Sequence, residues 1–428
     1  MRLHRFLIGQ TGVLLNDVLK FTDSAHAATS KFFCAHPKLG QIERRLMREA
    51  IFAVLRRKME YEYLAEKGGG TLTRSLALLG LMQTAGLSEL RLYVSQQELV
   101  WLHYVSNIDP ASLPTRVRIN LPLWIQSIVK SRLTTINTQP DAVEKKLLQL
   151  ASALNYPAPL DLRANLMRVN RDTVLAALKR SGVEAKPTPY APLGIRVVSK
   201  LEIYKTPAFQ QGWFEVQPEG SQLLCELVAP QCGEMVADFC ARGGSMTLAL
   251  GAMMRSSGRL YAFDVSNKRL EKIKSRLARS GLSNVHLVAI ASEHDVKIKR
   301  LSGKIDRVLV DVPCSGLGTL RRNPDLKWRQ TPQLVAKLVV KQISILTAAA
   351  QLLKPGGRLV YATCSLLEDE NEGIVRQFIA ASSAFERVAV SQVLVDQKIA
   401  LNTGDNLMLW PHQHGTDGFF AAVMQRVA

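Results

Sequence analysis

The sequence predicts a multidomain chain: an all-α N-terminal bundle over residues 1–135, a small α+β connecting module over 136–215, and a C-terminal doubly wound, Rossmann-like α/β domain over 216–428. Three observations carry this. Apolar residues recur at helical spacing through the first third. Prolines then break the chain into short pieces. Beyond residue 216, strand-like and helix-like segments alternate regularly, the pattern of a sheet with helices on both faces.

In the bundle, Ile42, Leu46, Ala50, Ala53 and Val54 share one helical face, set between Arg44, Arg45, Arg48, Arg56 and Arg57. Stretches 72–81 and 121–129 continue the helical texture, and Gly68-Gly69-Gly70 breaks it. Residues 1–10 carry basic residues and a short apolar stretch with no small-residue cleavage site, so they read as the first helix of a domain. In the connecting module, Pro157, Pro159, Pro187, Pro189 and Pro192 punctuate a helix at 172–180 and a strand at 195–198. The α/β domain then pairs a strand at 235–238 with a helix at 247–254, and a strand at 259–264 with a helix at 268–279. A third strand follows at 285–288 and a fourth at 307–310; the next helix, 332–353, is closed by Pro355-Gly356-Gly357. The fifth strand covers 358–361 and another covers 418–424.

Composition narrows the class. With 55 basic against 36 acidic residues the net charge is +19, which suits a polyanionic partner. The basic face of the bundle is then either a solvated surface or one that meets RNA phosphates. No apolar run reaches the length of a membrane span. The six cysteines follow neither a metal-ligand spacing nor a disulfide framework, which suits a reducing cytoplasm. His412 and His414 stand without an accompanying cysteine or acid cluster and read as loop residues rather than a metal pair.

Two places in the α/β domain carry chemistry. The first is the turn Phe239-Cys240-Ala241-Arg242-Gly243-Gly244-Ser245-Met246-Thr247, where small residues let backbone N–H groups approach a ligand at a helix N-terminus. Asp264 ends the next strand, where an acid accepts hydrogen bonds from ribose hydroxyls. Turn and acid together suggest an adenosine-containing cofactor, a dinucleotide or S-adenosylmethionine. Asp295, after the third strand, is either an acceptor for an adenine amino group or an exposed loop acid. The second place is a pair of thiols. Cys314 stands in Asp311-Val312-Pro313-Cys314-Ser315-Gly316 and Cys364 in Thr363-Cys364-Ser365, each after a strand-like apolar run. Ligands of open α/β sheets bind at the carboxyl ends of strands, so both thiols and Asp311 are expected in one cleft. Cys34, Cys225 and Cys232 read as ordinary packing residues, and Cys240 as a backbone contributor.

These motifs resemble the Sun-type (RsmB-like) RNA cytosine carbon-5 methyltransferases, most closely the bacterial small-subunit rRNA enzymes with an N-terminal NusB-like helical domain. The resemblance extends over nearly the whole chain. Besides Asp311–Gly316 and Thr363–Ser365 it includes Gly318-Thr319-Leu320-Arg321-Arg322-Asn323-Pro324, Lys327-Trp328-Arg329 and Gly415-Thr416-Asp417-Gly418-Phe419-Phe420. It implies that Cys364 attacks the base, that Cys314 helps release the product, and that Asp311 contacts the base beside the cofactor. It also implies S-adenosylmethionine as cofactor, held by Cys240, Ala241, Gly243, Gly244, Ser245, Asp264, Asp295 and Asp311, and small-subunit rRNA as partner, with a monomeric protein. Two departures stand out. The family's turn usually ends Gly-Gly-Lys-Thr; this chain has Gly244-Ser245-Met246-Thr247, so a cation is missing, and Arg242 is its nearest substitute at a different backbone position. Pro218 also stands where the family usually has an acid.

The implied chemistry needs these residue types. Carbon-5 of cytosine is a poor nucleophile until a thiolate adds at carbon-6 and converts the ring to an enamine. A proton donated to ring nitrogen 3 relieves the charge, a role that suits an aspartate whose pKa burial has raised. The target base must also leave any stack. In the segment after the Cys314 loop, Arg321, Arg322, Lys327 and Arg329 are expected to hold phosphates, while Trp328 either stacks on a base or packs in a core. Two other readings remain at this stage: a tRNA cytosine methyltransferase, and a non-catalytic ribosome-assembly factor with a degenerate cofactor turn.

Overall fold

The structure, a computed structural model, describes residues 3–136, 139–199 and 203–427. It divides into two compact units. One comprises Met1–Pro157 with Thr319–Thr331, the other Ala158–Gly318 with Pro332–Ala428.

The first unit is helical. Its core gathers Leu7, Leu14, Leu46, Met47, Ile51, Leu76 and Leu102. The helix Gln41–Arg56 follows the expected periodicity, but its buried face begins at Leu46, and Ile42 is exposed. Glu43 secures the helix start by accepting from the Gly40 N–H at 2.7 Å. Gly80, in the helix Leu72–Ala85, allows a close crossing: a Cβ there would lie 2.7 Å from the Ala50 carbonyl oxygen. The helix Pro140–Asn155 falls within this unit, beyond the boundary expected at residue 135.

Residues 319–331 are built into the same unit. Lys327 is 2% exposed. Its ammonium donates to the carbonyl oxygens of Arg56 at 2.7 Å and Asn120 at 3.0 Å, and to Asn155 Oδ1 at 3.4 Å. The Trp328 indole N–H donates to the Leu55 carbonyl at 3.0 Å, and its ring lies between the Lys58 and Lys327 ammonium groups. Asp325 accepts from the Ala25 N–H, at the start of the helix Ala25–Ala35, and pairs with Arg329 at 3.3 Å.

The second unit holds two sheets. The smaller has strands β1 (Leu160–Ala164), β2 (Ala185–Pro187), β3 (Gly194–Val197) and β4 (Phe214–Val216), all antiparallel, in the order β2-β3-β1-β4. The helix Arg171–Arg180 contributes Val174, Ala177 and Leu178 to a core with Leu162, Ile195 and Phe214.

The larger sheet has β5 (Met235–Asp238), β6 (Arg259–Asp264), β7 (Val285–Ala289), β8 (Ile305–Asp311), β9 (Leu353–Thr363), β10 (Phe385–Val388), β11 (Asn406–Leu409) and β12 (Phe419–Arg426). Its order is β10-β12-β9-β8-β5-β6-β7, with β11 also paired to β12. Strands β5 to β9 are parallel, whereas β12 runs antiparallel to β9, β10 and β11. Because β5 has β6 on one side and β8 on the other, the order reverses there and a crevice opens at the carboxyl ends of β5 and β8.

Two expectations shift. The helix Pro332–Ala350 ends before Pro355-Gly356-Gly357, which lies inside β9, where the β8–β9 register shifts between Ile305 and Arg307. That helix is also long and apolar enough to cross a membrane by length and composition alone. Its Val335, Ile345, Leu346 and Ala349 are buried, and it contacts β8 and β9, the placement of a core helix.

Candidate active site

The turn after β5 is shaped by its hydrogen bonds. The Ala241 N–H donates to Phe263, the Gly244 N–H to Ala241, and the Arg242 N–H to Asp264 Oδ2 at 2.9 Å. Gly244, at φ 79°, precedes the helix Ser245–Met253, and Arg242 is left-handed as well, at φ 51°. Beneath the turn, buried Asp238 accepts from the Thr247 hydroxyl at 2.6 Å, and burial pushes its pKa up to about 7. Burial pushes the Cys240 thiol up to about 12, which keeps it protonated at neutral pH and leaves this residue its backbone role. Met246 packs against an apolar cluster of the sheet.

The two expected acids differ. Asp264 sits at the end of β6, 4% exposed; besides Arg242 it accepts from the Ser266 N–H at 2.7 Å and pairs with Arg269 at 2.8 Å. Asp295 is a helix cap. Its two oxygens accept from the Lys297 N–H at 2.9 Å and the Ala291 N–H at 2.8 Å, so its own loop engages the carboxylate expected at adenine.

At the carboxyl ends of β8 and β9 the expected pair comes together: Cys314 Sγ and Cys364 Sγ are 3.3 Å apart. Their contact, together with burial, pushes the Cys314 thiol well above its ordinary range, so Cys314 holds the proton. Asp311 is 5% exposed and its Oδ1 has no hydrogen-bond partner among the described residues. Burial raises its pKa against the pull of Arg242, whose Nε lies 3.6 Å from Asp311 Oδ2. A buried, unpartnered carboxyl oxygen is costly unless a ligand meets it.

Residues that the sequence reading missed hold the two thiol loops. Glu370 is fully buried. It accepts from the Ser315 and Ser365 hydroxyls at 2.5 Å each, from the Ser315 N–H at 2.8 Å and from Gln342 Nε2 at 2.9 Å. Asn371 adds a bond from its amide to the Ser365 carbonyl at 3.0 Å and one with Thr363 Oγ1 at 2.5 Å. Gly318 donates to the Cys364 carbonyl at 2.9 Å, where a Cβ would sit 2.8 Å from that same oxygen. The acidic run Glu368-Asp369-Glu370-Asn371-Glu372 was the available signal, but only packing distinguishes the one acid that turns inward.

Among the residues expected to meet RNA, Lys327 and Trp328 are instead structural. Desolvation, with Arg56 and Lys58 nearby, holds the Lys327 pKa well below the usual lysine value, and its donors are already engaged. Lys327→Met should leave the buried Asn120 carbonyl without its donor, leave the Arg56 carbonyl and Asn155 Oδ1 only their bonds from the Asn120 amide, and destabilise the helical unit by about 1–3 kcal/mol. Thermal unfolding of the full chain should show a lower first transition, with RNA affinity at low temperature unchanged. His412 and His414 lie in the short helix Pro411–His414 rather than in a loop, with the Trp410 N–H donating to His414 Nδ1 at 2.9 Å. Among the described residues no group of three or more His, Cys, Asp or Glu is placed to hold a metal ion. All six cysteines are free.

The chain is similar to known proteins. Residues 225–425 match the family model of the 16S rRNA methyltransferase RsmB/F, and residues 139–204 match that family's ferredoxin-like domain. A probable ribosomal RNA small subunit methyltransferase B of Synechocystis is 28% identical, the match covering 97% of this chain and 98% of that protein. Its counterpart in Coxiella burnetii is 32% identical over 71% of this chain and 67% of that one. The crystal structure of a methyltransferase homolog protein from Pyrococcus horikoshii, 27% identical, superposes on 75% of this chain and 100% of its own with a TM-score of 0.61. The cysteine pair at the ends of β8 and β9 thus stands in a chain that matches the Synechocystis protein over nearly its whole length and the Coxiella protein at 32% identity, and the chain belongs to the RsmB/F family of 16S rRNA methyltransferases.

Proposed function

We propose that this chain transfers a methyl group from S-adenosylmethionine to carbon-5 of a cytosine in small-subunit rRNA, through a covalent bond between Cys364 and carbon-6 of the base. The observation that carries the reading is the sulfur pair, 3.3 Å apart at adjacent strand ends beside the unpartnered Asp311 oxygen.

The residues present fit the cofactor. The Cys240–Ser245 turn leads into a helix N-terminus at the switch point of the sheet, and Asp264 stands at the next strand end, where a ribose would exchange with the half-exposed Arg269. S-adenosylmethionine supplies an electrophilic methyl group. Cys364, relieved of its proton, adds to carbon-6. Asp311 gives a proton to nitrogen 3 as charge reaches the ring, which its raised pKa favours. After transfer, which releases S-adenosylhomocysteine, the carbon-5 proton passes to water, the nitrogen 3 proton returns to Asp311, and the Cys314 S–H stabilises the departing Cys364 sulfur. Arg321, Arg322 and Arg329 are the segment's candidate phosphate contacts.

The test is methyl transfer to 16S rRNA from unmethylated small subunits, read by bisulfite sequencing. Cys364→Ala should fall below about a thousandth of the wild-type rate. A Cys364→Ala protein of normal activity overturns the mechanism.

A further inference from the structure

We propose that Arg242 is the positioning cation of this site: its guanidinium ties the turn after β5 to Asp311 and to the Val312 carbonyl on the way to Cys314. The inference rests on the reading of Cys364 as nucleophile.

Four observations support it. The side chain leaves its own turn, and Nη2 donates to the Val312 carbonyl at 2.7 Å, between Asp311 and Cys314 in sequence. Nε lies 3.6 Å from Asp311 Oδ2, so it orients the carboxyl and leaves Oδ1 to the base. The guanidinium's proton is held above the ordinary arginine range by Asp311 first, with the Cys364 and Cys314 sulfurs contributing, so the charge is permanent and is felt at both thiols. Finally, the residue sits at φ 51°, a conformation in which a side chain costs about 1–2 kcal/mol and glycine almost nothing.

The surrounding charges give this role its content. Asp238 and Cys240 on the β5 turn, Asp264 at the end of β6, Asp311 and Cys314 after β8, and Tyr361 and Glu370 beside β9 are the titratable groups around the site; of these, Glu370 opposes ionisation of Cys314. Arg269 is committed to Asp264. Arg242 is the cation that acts on Cys314 and Asp311, in each case against the effect of burial. Met246 packs with the apolar cluster, away from any role as a cation.

The experiment compares Arg242→Gln, which keeps a donor of reduced reach, and Arg242→Lys, which keeps the charge, with wild type. The direct readout is the pH midpoint for alkylation of Cys364 by iodoacetamide in the full chain, followed by mass spectrometry without cofactor or RNA. Arg242→Gln should raise this midpoint by about 1 pH unit or more, with Arg242→Lys between it and wild type. In methyl transfer, Arg242→Gln should lower kcat roughly 100-fold, with KM for RNA within about threefold, and should move the rising limb of the pH profile upward. A purely structural arginine predicts a lower thermal midpoint with no change in the alkylation midpoint, and that result overturns the proposal. An active Cys364→Ala protein sinks the function itself. An inactive Cys364→Ala protein with a normal Arg242→Gln titration sinks only the role of Arg242.

Discussion

Cys314→Ala should accumulate protein covalently bound to RNA. The two neighbouring thiols have different parts in the proposed reaction. The Cys364 contact at 3.3 Å and burial both oppose ionisation of Cys314, which therefore keeps its proton. With Cys364 as the proposed nucleophile, the S–H facing it belongs to Cys314. Addition to carbon-6 and methyl transfer need the Cys364 thiolate, whereas expelling that thiolate from the methylated ring is the step that a facing S–H assists. Removing Cys314 therefore spares the early steps and slows the last. With labelled 16S rRNA and S-adenosylmethionine, a band of retarded mobility that survives denaturing electrophoresis should appear with Cys314→Ala and disappear in the Cys314→Ala, Cys364→Ala double variant. Turnover should fall about 100-fold or more. No retarded band, or one that persists in the double variant, contradicts the assignment of roles.

The parallel strands and the two thiols were legible because both signals are local. Short apolar runs closed by an acid or a cysteine mark β5, β6, β8 and β9, while β7, at the sheet edge, reads from its Val285–Val288 run alone. What local pattern cannot express is who pairs with whom. β12 reads as a strand, but its antiparallel place between β9 and β10 depends on residues more than thirty positions away. Pro355-Gly356-Gly357 reads as a helix stop because it usually is one, yet here the helix has already ended and the three residues accommodate a register shift in β9. Lys327 is the sharper case. A run of cations interleaved with tryptophan has the composition of a phosphate-binding segment, and only the three oxygen acceptors from distant parts of the helical unit make this lysine a buried clamp. Asp295 had two readings, an acceptor for adenine or a loop acid, and the sequence could not show that each of its oxygens accepts one backbone N–H from its own loop. Arg242 was visible as a residue, but its bearing on Asp311 emerged only once β5 and β8 were adjacent.

Glu370→Ala should be the most disruptive single change outside the thiols, and Glu370→Gln should be tolerated. The carboxylate gathers four donors: two hydroxyls, one backbone N–H and one side-chain amide. Deleting it leaves these donors facing a dry cavity, which should cost about 3–5 kcal/mol, as for other buried charged partners removed alone. Glutamine has nearly the same shape. Its oxygen can still accept from the Ser315 N–H and Gln342, while its amide group donates to the serine hydroxyls, which rotate to accept. Its cost should be about 1–2 kcal/mol. The functional consequence follows from where the donors sit. Ser315 is next to Cys314 and Ser365 is next to Cys364, so one acid sets the spacing of both sulfurs. Bridging of the two thiols by dibromobimane, which requires sulfurs a few ångströms apart, should therefore remain efficient in Glu370→Gln and fall sharply in Glu370→Ala, measured at a temperature where both remain folded. Methyl transfer should follow the bridging yield rather than the thermal midpoint. Efficient bridging in Glu370→Ala would mean that the backbone of β8 and β9 alone holds the pair, through contacts such as the Val312 N–H to the Ala362 carbonyl at 3.1 Å, and that Glu370 serves stability only.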